Sequence, residues 1–388
     1  MELQYVEDHT IFECIVGSMA YGTNSPESDI DKSGVMIPGK EYHYGLKRFD
    51  QFQGYPGEDK TIYNFQKAIK LITENNPNML DLLCIPERCV LKMTPYWQEV
   101  MDNAELFISK KCKFTFSGYS ISQLNRIKVH RAYLLNPPKG EPERSDYGLT
   151  ETPIFETAQL KALVKVASLF DYIEEEHKEL FVNQLDTIYA DHVIPLFSKY
   201  LKQDRRTVAL EFLQTALHNQ LNTLVTLGKN GYVKDEYVEA AERELQFVNA
   251  SRDWQRYQEW KNSRNKKRAG LEEKYGYDCK HAMHLIRLLR CGKEVLLTGK
   301  VNVDRTNIDA AELKEIRDGA WPYEQVEEYA TRMDAELNSL YEQSPLQKSP
   351  QIEKIDAMCV NIIDRYLSHT QRRDQELFKN LMRAGGIY

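Results

Sequence analysis

The chain has 388 residues, a length at which two or three domains and a large buried core are expected. Its formal net charge of −7 provides no overall positive field to attract nucleic acid, so any contact with RNA would come from local patches. Seven cysteines without a Cys-x-x-Cys pair, no signal-peptide core and no long apolar run predict a cytoplasmic protein with reduced thiols, no disulfide partner and no membrane span.

The first predicted element is a buried strand that ends at Gly17 and Ser18. It is indicated by an apolar run, which comprises Ile11, Phe12, Ile15 and Val16. A glycine at this point allows the backbone to come close to a phosphate, and the amide groups that follow can open a helix whose N-terminus binds anions. We therefore expect Gly17 and Ser18 to contact a nucleotide phosphate.

Two acidic residues, Asp29 and Asp31, follow after a spacer of ten residues. If they lie on a strand, both carboxylates point to one face and Ile30 points into the core, and the apolar run 35–37 continues that strand. Such oxygen ligands can hold one or two Mg²⁺ ions beside a triphosphate. Each motif alone also occurs in ordinary turns, but the combination predicts a phosphoryl-transfer site.

This stretch resembles the signature of the DNA polymerase β-like nucleotidyltransferases, a Gly-Ser pair followed at about this distance by Asp-x-Asp. In detail it is similar to predicted nucleotidyltransferases of the YcgL type, which include an RNA-ligase-associated, RlaP-like branch of bacteria and large phages linked to RNA repair. Three later stretches resemble the same family: residues 76–83, 118–123 and 276–289.

The resemblance implies transfer of a nucleoside monophosphate from an NTP, such as ATP, to an acceptor hydroxyl. It implies Asp29 and Asp31 as catalytic ligands of a two-metal site for Mg²⁺ or Mn²⁺, and Ser18 as a donor to the β- or γ-phosphate. RNA, such as a damaged tRNA, is the implied acceptor.

A third metal ligand is expected on a neighbouring strand, because a two-metal site usually needs another carboxylate near the attacking oxygen. Asp59 is the candidate, since it begins a predicted strand over 59–63 and would share a face with Thr61 and Tyr63. Glu58 is the alternative ligand, and a solvated acidic turn over 57–60 is the interpretation without a function.

The remaining pattern predicts a mixed α+β protein, in which a small mixed β-sheet of the polymerase β-like palm type carries a large helical body. We expect a catalytic domain over 1–135, a helical insertion or middle domain over 147–252, and a helical C-terminal domain over 253–388 that contributes a basic helix to the cleft. The segment 135–145, rich in Pro and Gly, is the predicted linker.

The predicted helices begin with one from Phe65 to Ile72, which ends before Asn76-Pro77, and one that Pro95 opens toward Ile108. Further helices are expected near 153–177, 186–202, 206–227 and 234–260, with a stop at 228–231 and later breaks at 299, 319–322 and 344–350.

The helix predicted near 278–291 carries a basic row. Lys280, His284 and Arg287 follow the spacing of one helix face, and His281 lies on the adjoining face. The row suits a clamp for a triphosphate or for RNA phosphates. A solvated helix face is the first alternative, and a metal site at His281 and His284 is the second.

Two further clusters are candidate contacts to the acceptor. Gln123, Arg126 and His130 fall on one helical face, which suits a pocket wall or else an exposed basic helix end. A basic run over 256–268 is interleaved with aromatic residues and includes Trp260 and Arg264, which suits stacking on unpaired bases of RNA. Tryptophan at helical spacing also suits a core position.

Three functions follow from these patterns. The first is a metal-dependent nucleotidyltransferase that acts on an RNA end in RNA repair. The second keeps the chemistry but modifies a protein hydroxyl, as in AMPylation, or a small molecule. The third is a catalytically inactive relative that acts as a binding module.

Overall fold

The computed structural model describes residues 3–151 except 27 and 56, the single positions 222, 225 and 229, and residues 235–384 except 265. The helices predicted near 153–177 and 186–202 lie outside the described residues, as do most of 206–227 and most of the stop at 228–231. Most of the predicted middle domain over 147–252 lies outside them as well.

Five strands of the described residues form one mixed sheet with the order β3-β4-β2-β1-β5. The central pair β2 and β4 is parallel, whereas the other neighbouring pairs are antiparallel. The strands are β1 (Thr10–Ile15), β2 (Lys32–Met36), β3 (Gln51–Gln53), β4 (Lys60–Asn64) and β5 (Val90–Met93). The sheet and its helical body confirm the predicted α+β class.

The helices of the N-terminal part surround this sheet and supply its core. They are α1 (Leu3–His9), α2 (Ser18–Tyr21), α3 (Lys40–His43), α4 (Phe65–Thr73), α5 (Pro77–Leu80), α6 (Pro95–Asp102) and α7 (Cys112–Leu135). The predicted face of α4 is buried, and the Asn64 side chain caps its N-terminus. Pro95 opens α6 as predicted, but α6 ends at Asp102 rather than near Ile108.

The second half of the described chain is helical. Its helices are α8 (Asp235–Ser263), α9 (Lys266–Tyr275), α10 (Cys279–Thr298), α11 (Ala310–Arg317), α12 (Tyr323–Gln343) and α13 (Ile352–Ala384). The predicted breaks at 299, 319–322 and 344–350 separate α10 to α13 as expected. No helix among the described residues is long and apolar enough to span a bilayer.

The chain folds into two compact units, one formed by Met1–Leu135 with Asn265–Tyr388 and the other by Asn136–Arg264. In the first unit, one continuous apolar core joins the sheet to α7, α10 and α12. In the second unit, Arg144 forms an ion pair with the buried Glu244 of α8. Each of the seven cysteines is a free thiol.

The segment that contains Asp29 and Asp31 precedes β2 and is not part of a strand, which corrects the prediction for Ile30. Ile30 is 54% exposed instead of buried. The carbonyl of Asp31 accepts a hydrogen bond from the Val16 amide at 2.9 Å, so pairing with the sheet begins only at Asp31. Ile30 lies before that point, where the side-chain alternation of the sheet does not apply.

A buried ion cluster supports the loop that follows α10. Arg305 is fully buried, and its guanidinium donates to Glu294 at 2.7 Å and to Asp309 at 2.8 Å. Asp309 also pairs with Arg290 at 2.9 Å. Each charge therefore has a partner of opposite sign, as buried ions require.

Candidate active site

A cavity of about 670 Å³ lies beside the N-terminal ends of β2 and β4. Its walls come from distant parts of the first unit: the end of β1, the starts of the two parallel strands, and one side each of α7 and α10. Because β2 and β4 are parallel with Lys32 opposite Lys60, the residues just before these two strands are neighbours in space.

Those neighbours are Asp31 and Asp59, and both line the cavity. The Lys32 amide, next to Asp31, donates to the Asp59 carbonyl at 2.7 Å. Burial and then the adjacent Asp59 carboxylate raise the pKa of the Asp31 carboxyl, and the charge of Asp29 adds to this, while Lys280 opposes it. Asp29 itself is exposed. The three predicted acids are thus electrostatically coupled around Asp31.

A metal ion fits this chemistry. No group of three His, Cys, Asp or Glu side chains in the described part of the chain is already arranged to hold a metal. However, Asp31 and Asp59 place two hard oxygen donors side by side, and their mutual repulsion is what a divalent cation would relieve. Asp29 is the further carboxylate whose charge reaches Asp31. The ligands would therefore be these three residues.

Gly17 makes room for the Asp31 carboxylate. A Cβ atom at position 17 would lie 2.6 Å from Asp31 Oδ2, and the glycine has φ 67° and ψ −142°. Both the contact and the left-handed backbone exclude a side chain here. Ser18 follows as the first residue of α2 and is half-buried. Gly17 lines the cavity, whereas Ser18 is not among the described residues that do so.

Residues from far along the chain hold the loop that contains Gly17 and α2. The Ala20 carbonyl accepts from Arg88 at 3.1 Å, the Tyr21 carbonyl from the Arg305 amide at 3.2 Å, and the Thr23 carbonyl from Arg317 at 3.2 Å. One of these three contacts comes from the segment that Arg305 anchors in the buried ion cluster, so that segment helps to hold α2.

The helix α10 forms the facing wall with the four predicted basic positions, which are Lys280, His281, His284 and Arg287. Burial, with the positive charges of Arg287 and Lys280, lowers the pKa of His284 to about 3. His284 is therefore neutral near pH 7, and it does not add to the positive charge of the row. Arg287 is 5% exposed, and its guanidinium lies 3.7 Å from the centre of the Tyr21 ring.

Asp278 and His281 form a hydrogen-bonded pair at the start of α10. The buried Asp278 caps the helix by accepting from the His281 amide at 3.0 Å, and its second oxygen lies 2.5 Å from His281 Nδ1. Although burial raises the pKa of Asp278, the hydrogen bonds from the His281 ring and amide lower it to about 2. Asp278 is thus a stable carboxylate that orients the His281 ring.

The predicted acceptor residues of α7 lie at two depths. Gln123 and Arg126 line the cavity, and Arg126 lies 3.2 Å from His281 Nε2. His130 lies behind them, with Nδ1 4.0 Å from Asp278 Oδ2. Trp260 and Arg264 belong to the other unit, where the guanidinium lies 4.6 Å from the indole ring centre.

Comparison with known proteins concerns the N-terminal part of the chain. Residues 2–133 match the family model of RlaP, the RNA repair pathway DNA polymerase beta family. This match confirms the resemblance inferred from the motifs, and we call this segment the RlaP-like domain.

A stretch of 132 residues is 26% identical to an uncharacterized 38.9 kDa protein of the nrdC-mobD intergenic region of Enterobacteria phage T4. The match covers 31% of this chain and 39% of that relative. No solved structure matches the chain.

Within the RlaP-like domain, sequence reasoning missed a buried pair that lines the cavity. The Tyr21 hydroxyl donates to Asp81 Oδ2, and burial raises the pKa of Asp81 while Arg287 opposes the rise. The available signal was the presence of Asp81 in the family-like stretch 76–83. Asp278 was missed too, although its place before an amphipathic helix is that of an N-cap.

We expect Gly17→Ala to impair any reaction at Asp31. The new Cβ atom would push the Asp31 carboxylate aside, and the backbone strain costs about 1–3 kcal/mol. Since misplacement of a reacting group by about 1 Å can cost about 100-fold, we expect a loss of that order in kcat. The matched control is Gly270→Ala in α9, where no atom lies within 4 Å of the added Cβ. Equal steady-state kcat in both variants would contradict the close approach.

Proposed function

We propose that this protein is a divalent-metal-dependent nucleotidyltransferase that transfers a nucleoside monophosphate from an NTP to a hydroxyl of RNA. The observation that carries the proposal is the coupling of Asp31, Asp59 and Asp29 at one edge of the sheet, opposite Lys280. The match to the RlaP family supports the nucleotidyltransferase role, and the family description supports an RNA-related substrate.

The residues that line the cavity, together with the adjacent Ser18 and Asp29, would have different roles according to their charge. Asp29, Asp31 and Asp59 would hold Mg²⁺ or Mn²⁺, which when bound would neutralise charge on the phosphates. Gly17 would let the backbone approach the triphosphate, and Ser18 would donate to its β- or γ-phosphate. Lys280 and Arg287 would bind the phosphate oxygens from the opposite wall. These roles require a negative ligand with several oxygens, which describes an NTP.

The direct test compares ATP labelled at the α-phosphate with ATP labelled at the γ-phosphate, and then the other NTPs. Each is incubated with the protein, Mg²⁺ and RNA that has defined ends. We expect α-label on RNA with release of pyrophosphate, and no γ-label on RNA. Label on protein alone would overturn the RNA acceptor in favour of AMPylation-like chemistry, and no product with any NTP would favour a binding module.

Lys280→Ala should weaken apparent NTP affinity more than it slows the bound complex. A charge-assisted hydrogen bond contributes about 1.5–3 kcal/mol, so we expect a roughly 10- to 100-fold higher Kd for NTP in the presence of Mg²⁺. The control is Lys293→Ala on the same helix, because Lys293 pairs with Glu336 at 2.5 Å. Calorimetric titration measures the Kd of NTP for both variants. An unchanged Kd for Lys280→Ala would mean that Lys280 does not bind the phosphates.

A further inference from the structure

Two hydrogen-bond acceptors, His281 Nε2 and Gln123 Oε1, lie in the corner of the cavity between α7 and α10. The Arg126 guanidinium stays protonated at any ordinary pH and only donates, so the Nε2 atom that it faces at 3.2 Å must accept. The Nδ1 atom then carries the proton, which it donates to the Asp278 carboxylate at 2.5 Å. His281 is therefore held as the neutral tautomer whose acceptor atom is Nε2.

A second acceptor lies in the same cavity. Gln123 Oε1 is buried and has no hydrogen-bond partner among the described residues, although Gln123 lines the cavity. A buried acceptor without a donor costs free energy, so this site favours a ligand that brings an O–H group. Gln123 and Arg126 are three residues apart on α7 and therefore share a face with the acceptor Nε2 opposite.

From this geometry we infer that His281 is the general base that deprotonates the acceptor hydroxyl, with Asp278 as its positioning residue and Gln123 as the partner of the neighbouring hydroxyl of a terminal ribose. The inference rests on the proposed function and adds the acceptor side of the same site. An Asp–His pair of this kind fixes the tautomer of the base and stabilises the imidazolium that forms.

The proposed step conserves atoms and charge. The hydroxyl proton passes to His281 Nε2 while the hydroxyl oxygen forms a bond to the α-phosphorus. The bond from the α-phosphorus to the bridging oxygen breaks, and pyrophosphate leaves with that electron pair. Arg126 is exposed, and its guanidinium binds phosphate more strongly than neutral imidazole, so an incoming phosphodiester draws it away and frees Nε2.

The location of His281 is consistent with the reaction centre. Lys280, the residue before His281, is close enough to Asp31 to lower the pKa of that carboxyl. His281 and Asp31 line the same cavity. The base therefore shares one chamber with the carboxylates.

The test measures RNA-dependent pyrophosphate release by wild type, His281→Gln, Asp278→Asn and His281→Ala with added imidazole. We expect kcat to fall about 100-fold or more in His281→Gln and in Asp278→Asn, with little change in the Kd of NTP. Imidazole should restore part of the activity of His281→Ala. Asparagine also caps helices, so Asp278→Asn should still fold, and a Tm above the assay temperature checks this. His369→Gln, at an exposed histidine bonded to Tyr96, is the histidine control.

The outcomes distinguish failure of the general-base inference from failure of the proposed nucleotidyltransferase function. No pyrophosphate release by wild type would overturn both. An active wild type with undiminished kcat in His281→Gln, or with no imidazole rescue of His281→Ala, would overturn the general base alone. For the ribose, an RNA whose terminal sugar lacks the second hydroxyl should have a higher KM with wild type, and Gln123→Leu should abolish that difference. An equal KM for both RNAs with wild type would overturn the role of Gln123.

Discussion

We expect Asp31→Asn to lower nucleotidyl transfer by at least about 1,000-fold while the protein remains folded. Loss of one carboxylate from a metal site removes several kcal/mol of charge stabilisation in the transition state, and about 4 kcal/mol corresponds to that factor. Asp31 is the residue at which the charges of Asp59, Asp29 and Lys280 converge. Its loss should therefore have a larger effect than the loss of any other single residue in the cavity.

The same substitution should not destabilise the fold. The pKa of Asp31 is raised in the folded state, so above that pKa the ionised carboxylate favours unfolding. This cost disappears below about pH 4, where the carboxyl is protonated in both states. Asparagine removes the charge, so the Tm of Asp31→Asn near pH 7 should equal or exceed that of wild type.

Activity and thermal unfolding of Asp31→Asn are best measured beside Asp50→Asn. The exposed Asp50 carboxylate pairs with Lys67 at 2.9 Å, and such a surface pair contributes little to stability. We expect this control to keep its activity and its Tm. A large fall in the Tm of Asp31→Asn would mean that Asp31 is structural. Near-normal nucleotidyl transfer by this variant would mean that Asp31 takes no part in the reaction.

The second large effect is expected on stability, from Arg305→Met. Methionine has a similar length but no charge, so Glu294 would lose its partner at the buried Arg305 position and Asp309 would keep only Arg290. Removal of one partner from a buried ion pair costs about 3–5 kcal/mol, which we expect as the fall in the free energy of unfolding. The loop that holds the Tyr21 carbonyl should loosen as well.

Denaturant unfolding of Arg305→Met and Arg332→Met measures this difference. Arg332 is exposed on α12 and lies over the Tyr329 ring, so its replacement should change the free energy of unfolding by about 0.5 kcal/mol or less. If Arg305→Met unfolds at the same denaturant concentration as wild type, the buried cluster does not stabilise the fold.

Short-range patterns were sufficient to predict the edge of the sheet that carries Asp31 and Asp59. The strand that ends before Gly17 and the strand that begins after Asp59 are indicated by apolar residues within a few positions. The parallel pairing of β2 and β4 then brings Asp31 next to Asp59, as the shared edge of two neighbouring strands requires. The row of α10 residues that lines the cavity was predictable as well, because its members are three or four positions apart on one helix.

Long-range contacts were not predictable in this way. Arg305 lies in a loop and Glu294 lies 11 residues earlier on α10, so no helical period relates the two. The neutral state of His284 depends on burial and on neighbouring charges, neither of which spacing reveals. The exposure of Ile30 has a similar origin, because the point at which strand pairing begins is set by the partner strand.

The most direct test of the carboxylate site is a crystal structure with Mn²⁺ and an NTP whose α,β-bridge resists cleavage. We expect anomalous density for Mn²⁺ between the carboxylates of Asp31 and Asp59, with the triphosphate between Gly17 and Lys280. Nucleotide and metal bound elsewhere, or Asp31 and Asp59 paired with each other and no ion between them, would contradict the proposed nucleotidyltransferase site.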